Sequence, residues 1–271
     1  MRSITTEELK TVQLGILREV HDYCVKNGLT YYLWGGSLLG AIRHDGYIPW
    51  DDDIDIAMPR SDYERFFKGF NKDGYGVYTC EINDRYIFPY GKVFDKRTLK
   101  EENCYYKGIE FCVDLDVFPI DEIEDQGALK KDRKKRNKLI SKIDWSKYVF
   151  IKHDKFVKSA LKFCKYLTCC LLRGLNLLCT NRHSRKMTKK AKSFAGENNK
   201  YMLYADTNIK DAIIIERDWV DKQQLHKFEN IEAYIPEGYS KLLTACFGDY
   251  MTPPPEEMRK THHTFKTYWR D

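Results

Sequence analysis

The segment "PWDDDIDIAM" (49–58) constrains the fold more than any other stretch of the 271-residue chain. Pro49 forces an extended entry, after which Ile54 and Ile56 alternate with Asp53 and Asp55. In a strand, successive side chains point to opposite faces, so the two isoleucines share one face and the two carboxylates the other. A solvated loop is the usual reading of an acidic cluster, but the isoleucines place these acids at the edge of a core. The Asp53 and Asp55 Cα atoms then lie roughly 6 to 7 Å apart. Their charges repel by roughly 2 to 3 kcal/mol at an effective dielectric near 20, so something positive should sit between them. Hard oxygen ligands of this kind suit Mg²⁺ or Mn²⁺, with phosphate oxygens completing the octahedron. A calcium loop fails: Asp51, Asp53 and Asp55 match its first ligand positions, but Ile56 stands where glycine is required and Asp62 where the closing glutamate is required.

Two further elements sharpen this reading. Gly35-Gly36-Ser37 falls between the aromatic strand "LTYYLW" and a short helix, where glycines admit a ligand to the backbone and a helix N-terminus offers N–H groups to an anion. Ser37 can cap that helix or bond a phosphate oxygen. Most such turns are only tight turns; joined to the aspartate pair, this one predicts a phosphate cradle facing a metal site. A third carboxylate should come from a neighbouring strand, and "CVDLDVFPID" offers Asp114 and Asp116 on one face, with Val113, Leu115 and Val117 on the other.

Around these motifs the chain reads as an α+β protein. Thr5 and Glu8 form a capping box for a first helix that Asn27-Gly28 stops, and Ser61 and Glu64 suggest another ahead of "DYERFFKGF". "YGVYTCEI", "YIFPYGKVFD" and "EFCVDLDVF" are strand candidates. We expect a mixed-sheet catalytic core with flanking helices over 1–122, a basic helical region over 123–200, and a C-terminal segment over 201–271 that completes the fold. With 42% hydrophobic and 32% charged residues the chain is a folded globular protein, and its net charge of +6 suits anionic partners without choosing among them. Nine cysteines without C-x-x-C pairs point to reduced thiols rather than a zinc site or a disulfide framework. The opening "MRSITTEELK" lacks the apolar stretch of a signal peptide, which predicts a cytoplasmic location.

The strings "GGSLLGAIRHDGYIPWDDDIDIAM", "YGKVFDKRT", "DVFPID" and "GDYMTPPP", followed by a histidine, closely resemble the LicD family of the nucleotidyltransferase superfamily. The resemblance runs from about residue 15 to the C-terminus, densest over 31–66 and weakest over 125–200. It implies a nucleotidyltransferase-like fold and metal-dependent transfer of a phospho-alcohol, phosphocholine from CDP-choline first, to a sugar hydroxyl of a cell-surface glycan or a teichoic-acid or lipopolysaccharide precursor, free or lipid-linked, releasing CMP. Relatives handle ribitol phosphate, so CDP-ribitol and CDP-glycerol are alternative donors. Carried over by position, Asp53, Asp55 and Asp116 would be the catalytic metal ligands. Gly35, Gly36, Ser37, Arg43, Lys92, Asp114 and His262 would contact substrate. The extra acid Asp114 departs from the family's usual I-D-I-F-P-L-D block; Asp116, directly before "VFP", is preferred as the third carboxylate.

Tyr31, Tyr32, Trp34, Trp50, Tyr86 and Tyr90 are available for an aromatic cage around a quaternary ammonium, although most aromatics in strands are core. "FVKSALKFCKYLTCCLLRGLNLLC" is the most hydrophobic stretch, but Lys158, Lys162, Lys165 and Arg173 interrupt it, so it fails as a transmembrane helix. Two readings stay open for it: a basic amphipathic helix on the inner face of an anionic membrane, or a helix packed on the core with snorkelling lysines. Nucleotide transfer to RNA or a small molecule is the competing activity. "KKDRKKRNK" would serve it, but such a run is more often a solvated helix face, and no nucleic-acid partner is expected. A non-catalytic binding module would have no use for the costly acid cluster.

Overall fold

The computed structural model describes residues 1–102, 108–123, 126–148, 156–175, 177, 181–195, 200–206, 212–261 and 265–271. The chain opens with β1 (Arg2–Ser3) and α1 (Thr6–Asn27). Helix α1 carries the expected capping box between Thr5 and Glu8 and ends at Gly28 in the left-handed conformation. It buries Leu9, Val12, Ile16, Val20 and Cys24, the residues recurring at helical spacing. Next come β2 (Tyr32–Leu33), α2 (Gly35–His44), β3 (Asp55–Pro59) and α3 (Arg60–Gly69), then β4 (Tyr75–Tyr78), β5 (Gly91–Asp95), β6 (Thr98–Glu102) and β7 (Asp114–Ile123).

Strands β2-β3-β7-β5-β4 form one mixed sheet in that order. Only β3 and β7 run parallel, with Asp55 paired to Asp116 and Ile56 to Val117. Their connection passes over the sheet through α3, which is anchored by Arg60: its guanidinium donates two hydrogen bonds, of 2.7 and 2.9 Å, to the buried Asp121 carboxylate of β7. Helix α3 begins after Pro59 with no side-chain cap, so the Ser61/Glu64 capping box does not form; a preset proline φ starts the helix before those residues are reached. The strands are also shorter than the sequence suggests. β3 starts at Asp55 rather than Trp50, and the chain before it is held by one ladder bond, from Asp116 N–H to the Ile54 carbonyl at 3.0 Å.

The basic helical region consists of α4 (Gln126–Lys147), α5 (Phe156–Gly174) and α6 (Arg182–Lys192). It has a small core of its own, in which Ile140, Ile143, Met187 and Tyr204 pack together beyond the end of β7. The chain then returns through β8 (Lys200–Leu203), which extends the main sheet along the second half of β7, and β9 (Ile213–Glu216). After α7 (Arg217–Val220), a hairpin of β10 (Gln223–Phe228) and β11 (Ile231–Pro236) packs near β2, and the Tyr31 hydroxyl accepts a bond from Tyr234 N–H at 3.3 Å. Helix α8 (Tyr239–Phe247) precedes the Pro-rich stretch, and β12 (Phe265–Trp269) inserts between β1 and β6. The last strand therefore lies against the wall of the sheet that carries the acids.

Candidate active site

The parallel pairing of β3 and β7 sets Asp55 beside Asp116, and the antiparallel pairing of β5 and β7 sets Lys92 on the other side of Asp116. Three neighbouring strands thus deliver two carboxylates and an ammonium to one row on one face. On the opposite face Ile54, Ile56, Val113, Leu115 and Val117 are buried, as the alternation predicts. The row opens into a cavity of about 230 Å³ with five carboxylates in its lining, from Asp53, Asp55, Glu102, Asp114 and Asp116, against three lysines, Lys92, Lys100 and Lys147. Phe88, Tyr90, Phe118 and Phe265 line it as well.

Charge is distributed unevenly in this cavity. Lys92 Nζ lies 2.9 Å from Asp114 and also bonds Asp116, while Lys100 Nζ lies 2.9 Å from Asp114 and 3.1 Å from Glu102. Burial pushes the Asp114 carboxyl up, but Lys100 and Lys92 outweigh it and hold the group below the usual carboxylate range. Burial likewise opposes the charge on Lys92, and Asp114 and Asp116 overcome it, so Lys92 stays a firm cation. Asp116 is pushed up to about 6, by burial first, with Asp114 adding to the shift and Lys92 opposing it. Asp55 is raised well above the ordinary range, by burial, then by Asp53, Asp116 and Asp51. The lysines thus answer Asp114 most strongly, while Asp55 is raised by burial and by the acids around it.

The Gly-Gly-Ser turn is shaped by the same acids. Gly35 has φ +52°, a left-handed conformation that favours glycine, and a Cβ there would lie 3.4 Å from Asp55 Oδ2. At Gly36 a Cβ would meet Asp51 Oδ2 at 2.7 Å, closer than any real contact. Ser37 caps no helix; its Oγ accepts the Asp55 backbone N–H at 2.9 Å. The start of α2 is thus fitted to carboxylates, with the hydroxyl fixing the backbone of Asp55.

A second acidic group sits in the loop ahead of β3, where one carboxylate oxygen from each of Asp51, Asp52 and Asp53 lies within 4.8 Å of the others. Asp52 accepts the Thr261 hydroxyl at 2.8 Å, and its backbone carbonyl accepts Gln13 Nε2 at 2.9 Å. A divalent cation fits this donor set: several hard oxygens converge beside a cavity whose acids exceed its lysines, and the Asp55 carboxyl next to them is raised by burial and then by its acidic neighbours. Among the described residues, no other group of His, Cys, Asp and Glu side chains comes together in this way.

Of the residues singled out in the sequence, Asp53, Asp55, Lys92, Asp114 and Asp116 line the cavity, and Gly35, Gly36 and Ser37 pack against its acids. Arg43 lies outside the lining: its guanidinium donates to the Tyr250 carbonyl at 3.0 Å and to His44, an arrangement that ties the end of α2 to the segment before the prolines. His262 falls outside the described residues. Of the six aromatics offered for a cage, Tyr90 reaches the cavity, whereas Tyr31, Tyr32, Trp34 and Tyr86 are core. Lys100, Glu102, Lys147 and Phe265 carried no sequence signal, because they come from strands and a helix end that only tertiary structure brings together.

A mixed α+β sheet that presents carboxylates from two parallel strands beside a Gly-Gly-Ser helix start defines a nucleotidyltransferase-type domain. The family described as LicD/FKTN/FKRP, nucleotidyltransferase domain, matches residues 28–156 of this chain. The chain is 28% identical over 277 residues to the lipopolysaccharide cholinephosphotransferase LicD of Haemophilus influenzae, a similarity covering 99% of both chains. It is also 49% identical over 49 residues, 17% of this chain and 10% of the other, to the human ribitol 5-phosphate transferase FKRP. No helix among the described residues is long and apolar enough to cross a membrane.

Proposed function

We propose that the chain is a transferase of this family that moves phosphocholine from CDP-choline to a sugar hydroxyl of a glycan or lipid-linked glycan, releasing CMP. The observation that carries the reading is the convergence of Asp53, Asp55 and Asp116 on one aromatic-walled cavity, in a chain similar end to end to a cholinephosphotransferase. In this reading residues 1–122 are the catalytic core, 123–200 the basic helical region and 201–271 the segment that completes the domain.

In chemical terms the acceptor hydroxyl oxygen bonds to the β-phosphorus of the donor. The bond from that phosphorus to the oxygen bridging it to the α-phosphate breaks, and CMP departs with the electron pair. Asp53, Asp55 and Asp116 would hold Mg²⁺ or Mn²⁺, which when bound supplies neutralising charge to the donor's pyrophosphate. Lys92 fixes the Asp116 carboxylate against β5 and keeps Asp114 ionised, so its charge is spent on orienting acids rather than on the phosphoryl group. Lys147 reaches the cavity from the end of α4 and is placed to meet a donor phosphate. In place of sharing the metal, Asp116, raised to about 6, could instead take the acceptor's proton. Phe88, Tyr90 and Phe118 offer ring faces to a quaternary ammonium; the Tyr90 and Phe118 centroids are 4.6 Å apart.

The test is release of CMP from CDP-choline, CDP-ribitol and CDP-glycerol, with CTP as the nucleotidyl-transfer control, in Mg²⁺ or EDTA, for wild type and Asp53→Ala. Metal-dependent release from CDP-choline, lost in Asp53→Ala, is expected. Release from CDP-ribitol alone would move the donor to that of the ribitol phosphate relatives, and pyrophosphate release from CTP alone would overturn the reading.

A further inference from the structure

Helix α5 is mounted with its polar side inwards. Cys169 is fully buried, with Trp145, Tyr148 and Leu172 packed on it. Arg173 donates to the Ser146 carbonyl at 3.0 Å and to the Tyr148 carbonyl, and Lys165 Nζ stands 4.2 Å from the Tyr148 ring centroid. At 100° per residue, Lys165, Cys169, Leu172 and Arg173 fall within an arc of about 100°. Phe163, Leu167 and Leu171 occupy the opposite arc and are 46%, 51% and 65% exposed. Lys165 and Arg173, two of the basic residues that interrupt this apolar stretch, therefore hold the helix to the end of α4, and Leu167 and Leu171 face outward. An apolar strip on one helix is more than a soluble monomer usually leaves open.

The surface on which α5 is mounted supplies the second half of the argument. On α4, Leu129, Arg136, Ile140 and Ile143 face the core. Lys131, Lys134, Lys138 and Lys142 recur at helical spacing on the other side, in line with Trp145, and are exposed. None of the four enters an ion pair among the described residues. The uncompensated lysine row and the open leucines thus belong to the same side of the molecule. Apolar side chains flanked by unpaired lysines suit an anionic lipid surface, where the leucines enter the acyl boundary and the lysines meet headgroup phosphates. A second copy of this chain would bring an identical lysine row to the contact.

We propose that the outer face of α5, together with the lysine row of α4, docks on an anionic lipid bilayer. Lys147, at the end of the same helix but about 200° around it from Trp145, lines the acidic cavity, so docking would hold the cavity about a helix diameter back from the bilayer. If the transferase reading holds, this position favours a sugar acceptor carried on a lipid. The docking itself does not depend on that reading.

The experiment is flotation of the full-length protein with phosphatidylcholine vesicles, with or without about one-third phosphatidylglycerol, at low and high salt. The comparison variants are Leu167→Glu/Leu171→Glu and Lys131→Gln/Lys134→Gln/Lys138→Gln/Lys142→Gln. All six sites are exposed, so folding, checked by an unchanged melting curve, is expected to survive. Flotation only with the anionic vesicles, weakened by salt and reduced about tenfold or more in each variant, is the expected result. Absence of flotation with anionic vesicles, or undiminished flotation of the leucine variant, would overturn the proposal. So would a wild-type dimer, dissolved by the leucine substitutions, that ignores vesicles. None of these readouts uses turnover, so this proposal and the transferase reading can fail separately.

Discussion

The strand acids and the loop acids are neighbours in space but are held in opposite ways. Asp114 and Asp116 stand on β7 and are pinned by lysines from adjacent strands, so their charge is largely answered inside the protein. Asp51, Asp52 and Asp53 stand in a loop ahead of β3 and are shaped by absences of bulk, with Gly36 leaving room for Asp51, and by bonds to remote segments such as Thr261. Asp55 sits at the junction, and its carboxyl is raised by burial first and then by repulsion from both groups. The strand set is oriented by its lysines and the loop set by glycine clearance and remote hydrogen bonds, so substitutions in each should fail differently.

The largest effect is expected at the junction. Asp55→Asn should lower metal-dependent CMP release about a thousandfold, as removal of one catalytic charge partner commonly does. The same substitution should raise apo-protein stability above pH 7, because a repelled carboxylate is gone. Parallel turnover and urea-unfolding curves check both halves, and a variant that loses stability would contradict the assignment. On the strand side, Lys92→Ala takes the lysine from buried Asp116, leaves Asp114 with Lys100 alone, and should cost about 3 to 5 kcal/mol in urea unfolding.

A pH series separates the sets further. Asp116 binds its proton more tightly when folded, at about 6, than its ordinary value of 3.8. This group's contribution is therefore fully present below about 4 and is lost as pH rises to about 6, an amount on the order of 3 kcal/mol. The difference in unfolding free energy between wild type and Asp116→Asn should shift by that order between pH 4 and 7 and shrink when Mg²⁺ is added. A difference that stays flat with pH would remove the raised Asp116 from the account. The smallest effect is expected in the loop: Gly36→Ala, whose Cβ would meet Asp51 Oδ2 at 2.7 Å, should weaken Mg²⁺ dependence about tenfold while leaving the sheet's melting transition in place.

Much of this was legible beforehand because it is local. The alternation of Ile54 and Ile56 with Asp53 and Asp55 fixed which face each side chain takes, and the same rule put Asp114 and Asp116 together. What a period-two pattern does not carry is strand adjacency. Lys92 was expected to meet a phosphoryl group, whereas its register opposite Asp116 gives it to the carboxylates. The Gly-Gly-Ser turn was expected to cradle phosphate, but its glycines are first needed to let Asp51 and Asp55 come close. Phe265 and Lys147 enter the cavity across more than a hundred and forty and more than twenty residues of chain from β7, respectively, distances over which no local signal reaches. The orientation of α5 was equally hidden, since one amphipathic pattern serves a helix facing in or out.

The position of β7 has a consequence for the order in which the protein is made. Its first half pairs with β3 and β5, both already synthesised, but its second half pairs with β8, so Asp121 waits for Met202. At roughly 5 to 20 residues per second, translation leaves that half-edge open for several seconds. The cavity waits longer still, since Phe265 lies on the strand that pairs with β6. A ribosome-bound chain stalled before residue 260 is thus expected to hold its acids and lysines in register with one wall missing, assembled as a sheet before it is finished as a site.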